Sequence, residues 1–359
     1  MAAITYKCPN CGGGLVFDPG TQKYKCEYCL SLFDQQELED TGPDREDPGQ
    51  WTEGNHGQEE ALRRQSGPVE AVSCICPSCG AQVVTDETTA ATFCYYCHNP
   101  VVIEGRLKGG YHPDYVIPFS IDRKQAEEIF RNWIGGKRFV PRDFYSPRQV
   151  ESMTGVYFPY WLYSCQVDGR MDAEGIRMRV WDAGNLRYTE QKIYQVSRSG
   201  RMEVENVARN ALKKNNVRLS EGVLPFLPEG RKPFHMSYLT GFQAERRDME
   251  AGELAAEVER EVKNQAASRL RESADGYSSL RIKAQTEEIE NARWYYGLFP
   301  VWTLTYKSPR DGKIYYFALN GQTGKVCGEL PVDRKRLAAL FLAVFLPLLI
   351  LFLMGGYFL

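Results

Sequence analysis

Eight of the eleven cysteines form four C-x2-C pairs, which is the spacing of metal-binding turns. The pairs are joined two by two, so the chain carries the frame C-x2-C-x14-C-x2-C twice, with equal length. Zinc prefers four thiolates in a tetrahedron with Zn–S distances of about 2.3 Å, and two such turns supply them. We predict two structural Zn2+ ions with no open position for water. The predicted metal ligands are Cys8, Cys11, Cys26 and Cys29 for the first ion and Cys76, Cys79, Cys94 and Cys97 for the second.

Disulfides and redox-active pairs are the alternatives, and the exact repetition of the frame disfavours both. Cys74 and His98 lie beside the second set and remain alternative ligands there. Gly12 and Gly80 follow the first pair of each set, where a positive φ is favoured. Leu30 and His98 follow the second pairs, which leaves the detail of those turns open. Cys74, Cys165 and Cys327 are otherwise interpreted as ordinary small residues.

The fold class predicted around these cysteines is α+β, with two small zinc ribbons, a mixed β-rich body with a few helices, and one C-terminal transmembrane helix. The linker between the ribbons carries eleven acids and three bases with few large apolar residues, so we expect it to be flexible. Such a tether would let the first ribbon search for a partner. The predicted domains are zinc ribbon 1 at 1–33, the acidic linker at 34–72, zinc ribbon 2 at 73–104, the cytoplasmic body at 105–332, and a basic flank with a transmembrane tail anchor at 333–359.

Within the body, the strongest pattern is a helix over 248–271 with an apolar residue every four positions. We expect this stripe to pack on a sheet, with a partner-binding face as the alternative. A second helix is predicted over 122–134, with an N-cap within Ser120-Ile121-Asp122 and its end marked by Gly135-Gly136, and a short third helix at 147–153. Strands are predicted at 156–167, 176–181, 186–196, 279–290, 299–307, 313–319 and 324–329.

The last 23 residues, 337–359, contain no charged side chain. At about 1.5 Å per residue a helix of this length spans roughly 34 Å, enough to cross a hydrocarbon core. Arg334, Lys335 and Arg336 precede it and no charge follows it, which predicts a cytoplasmic N-terminal part. We therefore expect a single-pass protein of the cell membrane that contacts the lipid bilayer through 337–359.

Charge argues against nucleic acid as the partner of the ribbons. Residues 73–104 contain no lysine or arginine and three acids, and residues 1–33 contain three bases and two acids. Phosphate binding depends on basic contacts, so we expect protein-binding modules. The region 105–359 has 38 bases and 30 acids, which fits either nucleic acid or the anionic inner face of a membrane, with scattered solvated charge as a third interpretation. The predicted anchor favours the membrane. No phosphate-loop or nucleophile-elbow motif occurs, so we predict neither an enzyme nor a small-molecule substrate.

Several segments together resemble the bacterial TFIIB-type zinc-ribbon proteins. They are CPNCGG and CEYC in the first ribbon, YVIPFSID at 115–122, YLTGFQAERRD at 238–248, FPVW at 299–302 and NGQTGKVCGELP at 320–331. Some relatives in that family are encoded beside PspA and flotillin-like SPFH proteins of membrane stress. The resemblance implies a membrane-anchored adaptor or scaffold whose partners are membrane-associated proteins such as these. The alternative is a nucleic-acid-binding zinc-ribbon protein of replication or transcription.

Overall fold

The computed structural model describes residues 3–39, 72–77, 82–85, 88–94, 99–103, 106–107, 109–213, 217–309 and 312–358. It is a β-rich α+β structure whose residues divide into two compact units. The first unit comprises Met1–Pro159, Lys214–Arg247 and Leu298–Leu359, and the second comprises Tyr160–Lys213 and Asp248–Gly297. The α+β class predicted from the sequence is confirmed.

Sixteen strands and six α-helices lie within the described residues. The strands are β1 (Ala3–Ile4), β2 (Leu15–Asp18), β3 (Lys23–Cys26), β4 (Leu32–Phe33), β5 (Val72–Ile75), β6 (Gln82–Thr85), β7 (Thr89–Phe93), β8 (Pro100–Ile103), β9 (Tyr115–Val116), β10 (Thr154–Ala183), β11 (Leu186–Asn210), β12 (Lys232–Pro233), β13 (Gln243–Glu245), β14 (Ser279–Lys307), β15 (Ile314–Asn320) and β16 (Val326–Gly328). The helices are α1 (Gln35–Glu39), α2 (Arg123–Gly135), α3 (Pro147–Glu151), α4 (Val217–Gly222), α5 (Ala251–Glu272) and α6 (Arg334–Phe358).

The main sheet has the strand order β1-β8-β7-β13-β10-β14-β15-β16, with β11 also paired to β10. β13 runs parallel to β10 at Val156 and Tyr157, whereas β1–β8, β7–β8, β10–β11 and β14–β15 are antiparallel. Two small sheets, β2-β3-β4 and β5-β6, lie outside the main sheet. The first of these small sheets carries Cys26 at the end of β3.

Helix α2 begins and ends where its sequence predicts. The Asp122 side chain accepts the Gln125 backbone N–H at 2.8 Å, and the Gln125 side chain accepts the Asp122 N–H at 3.0 Å. This reciprocal pair is a capping box, which satisfies two donors that the first turn leaves unpaired. The helix ends with Gly136 as its C-cap.

Helix α5 of the second unit packs as its apolar stripe predicts. All five stripe residues are buried, and Val258, Val262 and Ala266 lie in one cluster with Tyr163 and Val167 of β10. Leu270 lies in a second cluster with residues of β10 and β11. The interpretation of the stripe as a sheet-packing face is confirmed. The five stripe residues are Leu254, Val258, Val262, Ala266 and Leu270.

The strands of the body are longer than predicted. The segments 156–167 and 176–181 belong to one strand, β10, and 279–290 and 299–307 belong to β14. β10 and β11 stay paired from Tyr160↔Asn210 to Ala183↔Leu186. The strands continue through polar stretches because the backbone hydrogen bonds that pair them need no apolar side chain. The apolar pattern used for the prediction is absent there, so the strands were predicted too short.

The first cysteine unit, residues 3–33, is packed against the rest of the first compact unit. Phe17 and Tyr24 are buried, the Phe17 N–H donates to Thr240 O at 3.0 Å, and β1 pairs with β8. The expected free movement of this unit is therefore wrong, because its apolar side is buried against 236–241. Of the linker, α1 is described, and residues 40–71 lie outside the described residues.

Asn320, in the NGQTG segment, is buried and makes four side-chain hydrogen bonds. Its amide donates to Val223 O at 2.8 Å and Pro225 O at 3.1 Å, and its Oδ1 accepts the N–H groups of Gln322 and Thr323, both at 2.9 Å. One side chain thus satisfies polar backbone groups of the 320–324 turn and of the 223–225 loop. This explains why an asparagine stands at the start of the turn.

We predict that Asn320→Ala lowers the free energy of unfolding by about 3 kcal/mol, because it leaves buried backbone groups unpaired. The measurement is denaturant unfolding of the full chain in mild detergent. Asn264→Ala, on the exposed side of α5, is the control and should change stability by less than about 0.5 kcal/mol. Equal stability of the two variants would contradict the assignment.

Candidate metal centre

The first pair, Cys8 and Cys11, lies in a turn closed by two backbone hydrogen bonds. Gly12 N–H donates to Cys8 O at 2.8 Å, and Cys8 N–H donates to Gly13 O at 2.6 Å. Gly12 has φ of +74°, the left-handed conformation that glycine adopts at little cost. The turn therefore presents both sulfur atoms on the same side.

The second pair, Cys26 and Cys29, repeats this geometry. Leu30 N–H donates to Cys26 O and Cys26 N–H donates to Ser31 O, each at 3.0 Å. Leu30 takes φ of +62° although it is not glycine, a conformation that costs an L-residue about 1–2 kcal/mol. The second turn therefore has the same backbone geometry as the first, although leucine replaces glycine after its last cysteine. The strain at Leu30 is offset by the other interactions of the site.

The four sulfur atoms converge at the distances that a metal ion requires. All four Sγ atoms lie within 4.8 Å of one another, with Cys8–Cys29 at 3.5 Å and Cys11–Cys26 at 3.4 Å. A tetrahedron with Zn–S bonds of 2.3 Å has S–S edges of about 3.8 Å, whereas a disulfide has about 2.05 Å. The four cysteines are free thiols arranged as a ligand set that can hold a metal ion.

One side of the cluster faces the core and the other faces solvent. Cys8 and Cys26 are buried, and Cys11 and Cys29 are exposed. Ser31 helps to hold the exposed side: its Oγ lies 3.3 Å from Cys29 Sγ and accepts the side-chain N–H of Asn10 at 3.1 Å, which joins the two turns. Sequence reasoning missed Ser31 and Asn10, because a lone polar residue beside a cysteine pair carries no spacing signal.

The two exposed thiols of the cluster have pKa values shifted in opposite directions. Hydrogen bonds from the Ser31 hydroxyl and backbone lower the pKa of Cys29 to about 6. The Gly13 backbone N–H lowers the pKa of Cys11, but hydrogen bonding with the sulfurs of Cys26 and Cys29 raises it to about 12. If all four cysteines were thiolates they would repel each other, and a divalent cation between them would offset that repulsion.

The second set is only partly described. Cys76 and Cys94 are buried in one cluster with Cys74, Val83 and Val101. Cys94 N–H donates to Asn99 O at 3.0 Å. Both turns of the first set are closed by the same kind of bond, from the N–H of the first cysteine to the carbonyl five residues later. Cys79, Cys97 and His98 lie outside the described residues.

Burial raises the pKa of Cys74, which lies in the same cluster as Cys76 and Cys94. Its position keeps the alternative of Cys74 as a ligand open. Cys165 lies in the core of the second compact unit, and Cys327 lies in β16. The structure brings neither of them to the first cysteine cluster.

A serine–histidine pair lies where the first cysteine unit meets the body. Ser237 Oγ is 2.6 Å from His235 Nδ1, the contact that a nucleophile makes with its base. Ser237 is fully buried, however, and the Tyr24 hydroxyl occupies its other side at 2.6 Å. His235 also accepts the Ser237 N–H as the cap of a short 3-10 helix. The three side chains therefore form a structural joint between β3 and the body.

The C-terminal helix α6 is long and apolar enough to cross a membrane, and its span Arg334–Phe352 is not covered by any other described part of the chain. It is attached to the body at its first turn. Asp333 Oδ1 accepts the Lys335 N–H at 3.1 Å, and Asp333 N–H donates to Phe139 O at 2.7 Å. The helix thus starts directly from folded backbone of the first compact unit.

The fold and the site together define a β-rich α+β protein with a four-cysteine metal-site candidate and an apolar C-terminal helix. The chain is 30% identical over 358 residues to the uncharacterized protein YdjG of Bacillus subtilis (strain 168), which covers 98% of this chain and 99% of that protein. The chain therefore belongs to the family of YdjG. No protein-family model and no solved structure matches it.

For the first set we predict that Cys26→Ser removes one zinc ion per chain, since a buried ligand is lost and three thiolates cannot complete the tetrahedron. Cys165→Ser, a buried cysteine away from the cluster, is the control and should keep the wild-type zinc content. The measurement is elemental analysis of the purified full chain. Unchanged zinc in Cys26→Ser would contradict the ligand assignment.

For the second set we predict that Cys94→Ser also removes one zinc ion, whereas Cys74→Ser removes none. Elemental analysis of the two variants side by side separates a ligand from a buried neighbour. Loss of zinc in Cys74→Ser with zinc retained in a Cys79→Ser variant would instead make Cys74 the ligand.

Proposed function

We propose that this protein is a membrane-anchored adaptor that assembles a protein complex on the cytoplasmic face of the cell membrane. In this proposal α6 is a tail anchor, the two cysteine sets are structural zinc ribbons, and the partners are membrane-associated proteins. The feature that carries the proposal is a two-stranded arm in the second compact unit, residues 177–194, which exposes an unusual number of large apolar side chains.

The arm is the distal part of the β10–β11 hairpin. At the base of the arm, Ser278, the residue before β14, donates its N–H to Ile176 O at 2.7 Å and accepts the Met178 N–H on its hydroxyl at 3.1 Å. From there, about five residue pairs extend to the turn, roughly 17 Å of two-stranded ribbon. Gly184, with φ of +64°, makes the turn.

Both faces of the arm carry exposed apolar side chains. On one face are Met178 and Val180, each 52% exposed, and Ile193, 65% exposed. On the other, Trp181 and Tyr188 are stacked with ring centroids 5.6 Å apart. Contiguous exposed apolar surface is typical of protein interaction sites, and isolated two-stranded hairpins are marginally stable unless something covers them.

The metal-site candidate supports the adaptor more than an enzyme. Four cysteines complete a zinc coordination shell, so no position is left for a reacting water or substrate. The Ser237–His235 pair is buried and engaged by Tyr24, so it offers no accessible nucleophile. At the first set, the turn exposes Tyr28 and Leu30, which adds a second apolar surface suited to protein contact.

We predict that proteins co-purify with the full chain from its native membrane in mild detergent, and that nuclease treatment leaves them bound. In Val180→Thr/Ile193→Thr the co-purifying proteins should fall at least about tenfold, because threonine keeps the strand but removes apolar contact. Glu257→Gln, an exposed change on α5, is the control and should retain them.

Two other outcomes are informative. Loss of the proteins in Tyr28→Ser but not in the arm variant would move the contact to the first cysteine unit. Recovery of replication or transcription proteins that disappear on nuclease treatment would overturn the adaptor proposal in favour of nucleic-acid binding.

A further inference from the structure

We propose that residues 137–148, together with Arg334, Lys335 and Arg336, form a basic collar that binds anionic lipid headgroups around the base of α6. The inference rests on the proposed membrane anchoring and adds the lipid class that the protein recognises. All of these residues belong to the first compact unit.

The collar is held at the first turn of the helix by main-chain contacts. Asp333 N–H donates to Phe139 O at 2.7 Å, and the Arg336 guanidinium donates to Val140 O at 3.2 Å. The position of 139–140 is therefore tied to the start of α6, and α6 is itself capped by Asp333. If α6 crosses a bilayer, residues 139–140 lie beside the point at which the helix enters it.

Helix geometry sets the depth of the loop. The uncharged stretch starts at Leu337, four residues after Asp333, which corresponds to about 6 Å along the axis. The polar layer on one side of a bilayer is about 5–8 Å thick. Asp333, and the Phe139 peptide bonded to it, consequently lie at the depth of the lipid headgroups.

The side chains at this depth are strongly basic. Four exposed cations lie in 137–148, against a single acid, Asp143, which the Tyr306 hydroxyl hydrogen-bonds. Across the described part of the chain, none of these four cations has an ion-pair partner, whereas Arg336 pairs with Asp333 at 3.5 Å. The four are Lys137, Arg138, Arg142 and Arg148.

An aromatic side chain favours a lipid surface over a free phosphate ion as the occupant. Tyr145 is exposed between Arg142 and Arg148, on the short 3-10 helix Arg142–Tyr145. Tyrosine beside arginine is the pairing found at membrane interfaces, where the ring lies at headgroup level and the guanidinium binds phosphate. Each such cation strengthens binding to an anionic surface about fivefold.

The test is native mass spectrometry of the full chain in mild detergent, titrated with phosphatidylglycerol or phosphatidylcholine. The wild type should bind phosphatidylglycerol preferentially, and replacing the four collar cations by glutamine should weaken that binding at least about 25-fold, the product of two contacts. Exchanging lysine and arginine at the same four positions keeps the charge and should preserve binding. Inorganic phosphate should not compete.

A charge-matched control removes four exposed cations of the second compact unit and should bind phosphatidylglycerol as the wild type does. Zinc content of each variant verifies that the first compact unit is folded. The control positions, each changed to glutamine, are Arg170, Arg260, Lys263 and Arg281.

Equal phosphatidylglycerol binding by the collar variant and the wild type overturns the inference. A loss of binding in the control variant as large as that in the collar variant also overturns it, because the loss would then reflect net charge alone. Resistance of the wild type to alkaline extraction from membranes is measured in parallel. A wild type that is extracted overturns both the anchoring proposal and the inference, whereas a retained wild type with an unselective collar overturns the inference alone.

Discussion

The close approach of four cysteine sulfur atoms is the constraint around which residues 3–33 are organised. The sulfurs of Cys8, Cys11, Cys26 and Cys29 lie within 4.8 Å of one another, the spacing of a ligand set that can hold a metal ion. The two turns that present them share the same backbone bonds, and one of them keeps a leucine in a left-handed conformation. A metal ion held by these four sulfurs would stabilise both turns and fix β2 and β3 relative to each other.

That small sheet in turn supports the body. Tyr24 follows Lys23 at the start of β3, and its hydroxyl reaches the buried Ser237, which His235 contacts from the other side. Phe17 of β2 packs edge-on against both Tyr24 and Tyr238. The first cysteine unit is therefore coupled to residues 235–240 by burial and hydrogen bonds, so a metal ion held by the four sulfurs would act on a core larger than the two turns.

The same compact unit continues into the apolar helix without a linker. Asp333 both caps α6 and bonds Phe139, so the helix and the loop after α2 share one rigid attachment. In the second compact unit, α5 packs on the part of the β10–β11 hairpin that lies away from its turn, where Val258 and Val262 are buried. Towards the turn the hairpin continues as a two-stranded ribbon, on which Val180 and Ile193 are exposed.

The limits of sequence reasoning follow from the range of each signal. Local signals identified α2 and α5: the N-cap before α2 and the four-residue apolar repeat of α5 both act within a few turns of one helix. Strand lengths were underestimated, since pairing between Asp168 and Arg201 or Arg170 and Ser199 depends on a partner strand that no local pattern reveals. The buried bonds of Asn320 carry no local signal either, since its two bonds to 223–225 span almost a hundred positions.

By itself the sequence determined the cysteine frame, the capped helices, the apolar stripe of α5 and the uncharged C-terminal helix, because each depends on spacing along one short segment. Only the tertiary structure decided that the first cysteine unit is packed against 236–241 instead of moving freely. It also decided that Ser31 and Asn10 support the site, that Val180 and Ile193 are exposed among the described residues, and that 139–140 lie at the base of α6. These are contacts between segments far apart in the chain, and their free energy comes from burial and pairing that exist only once the chain has folded.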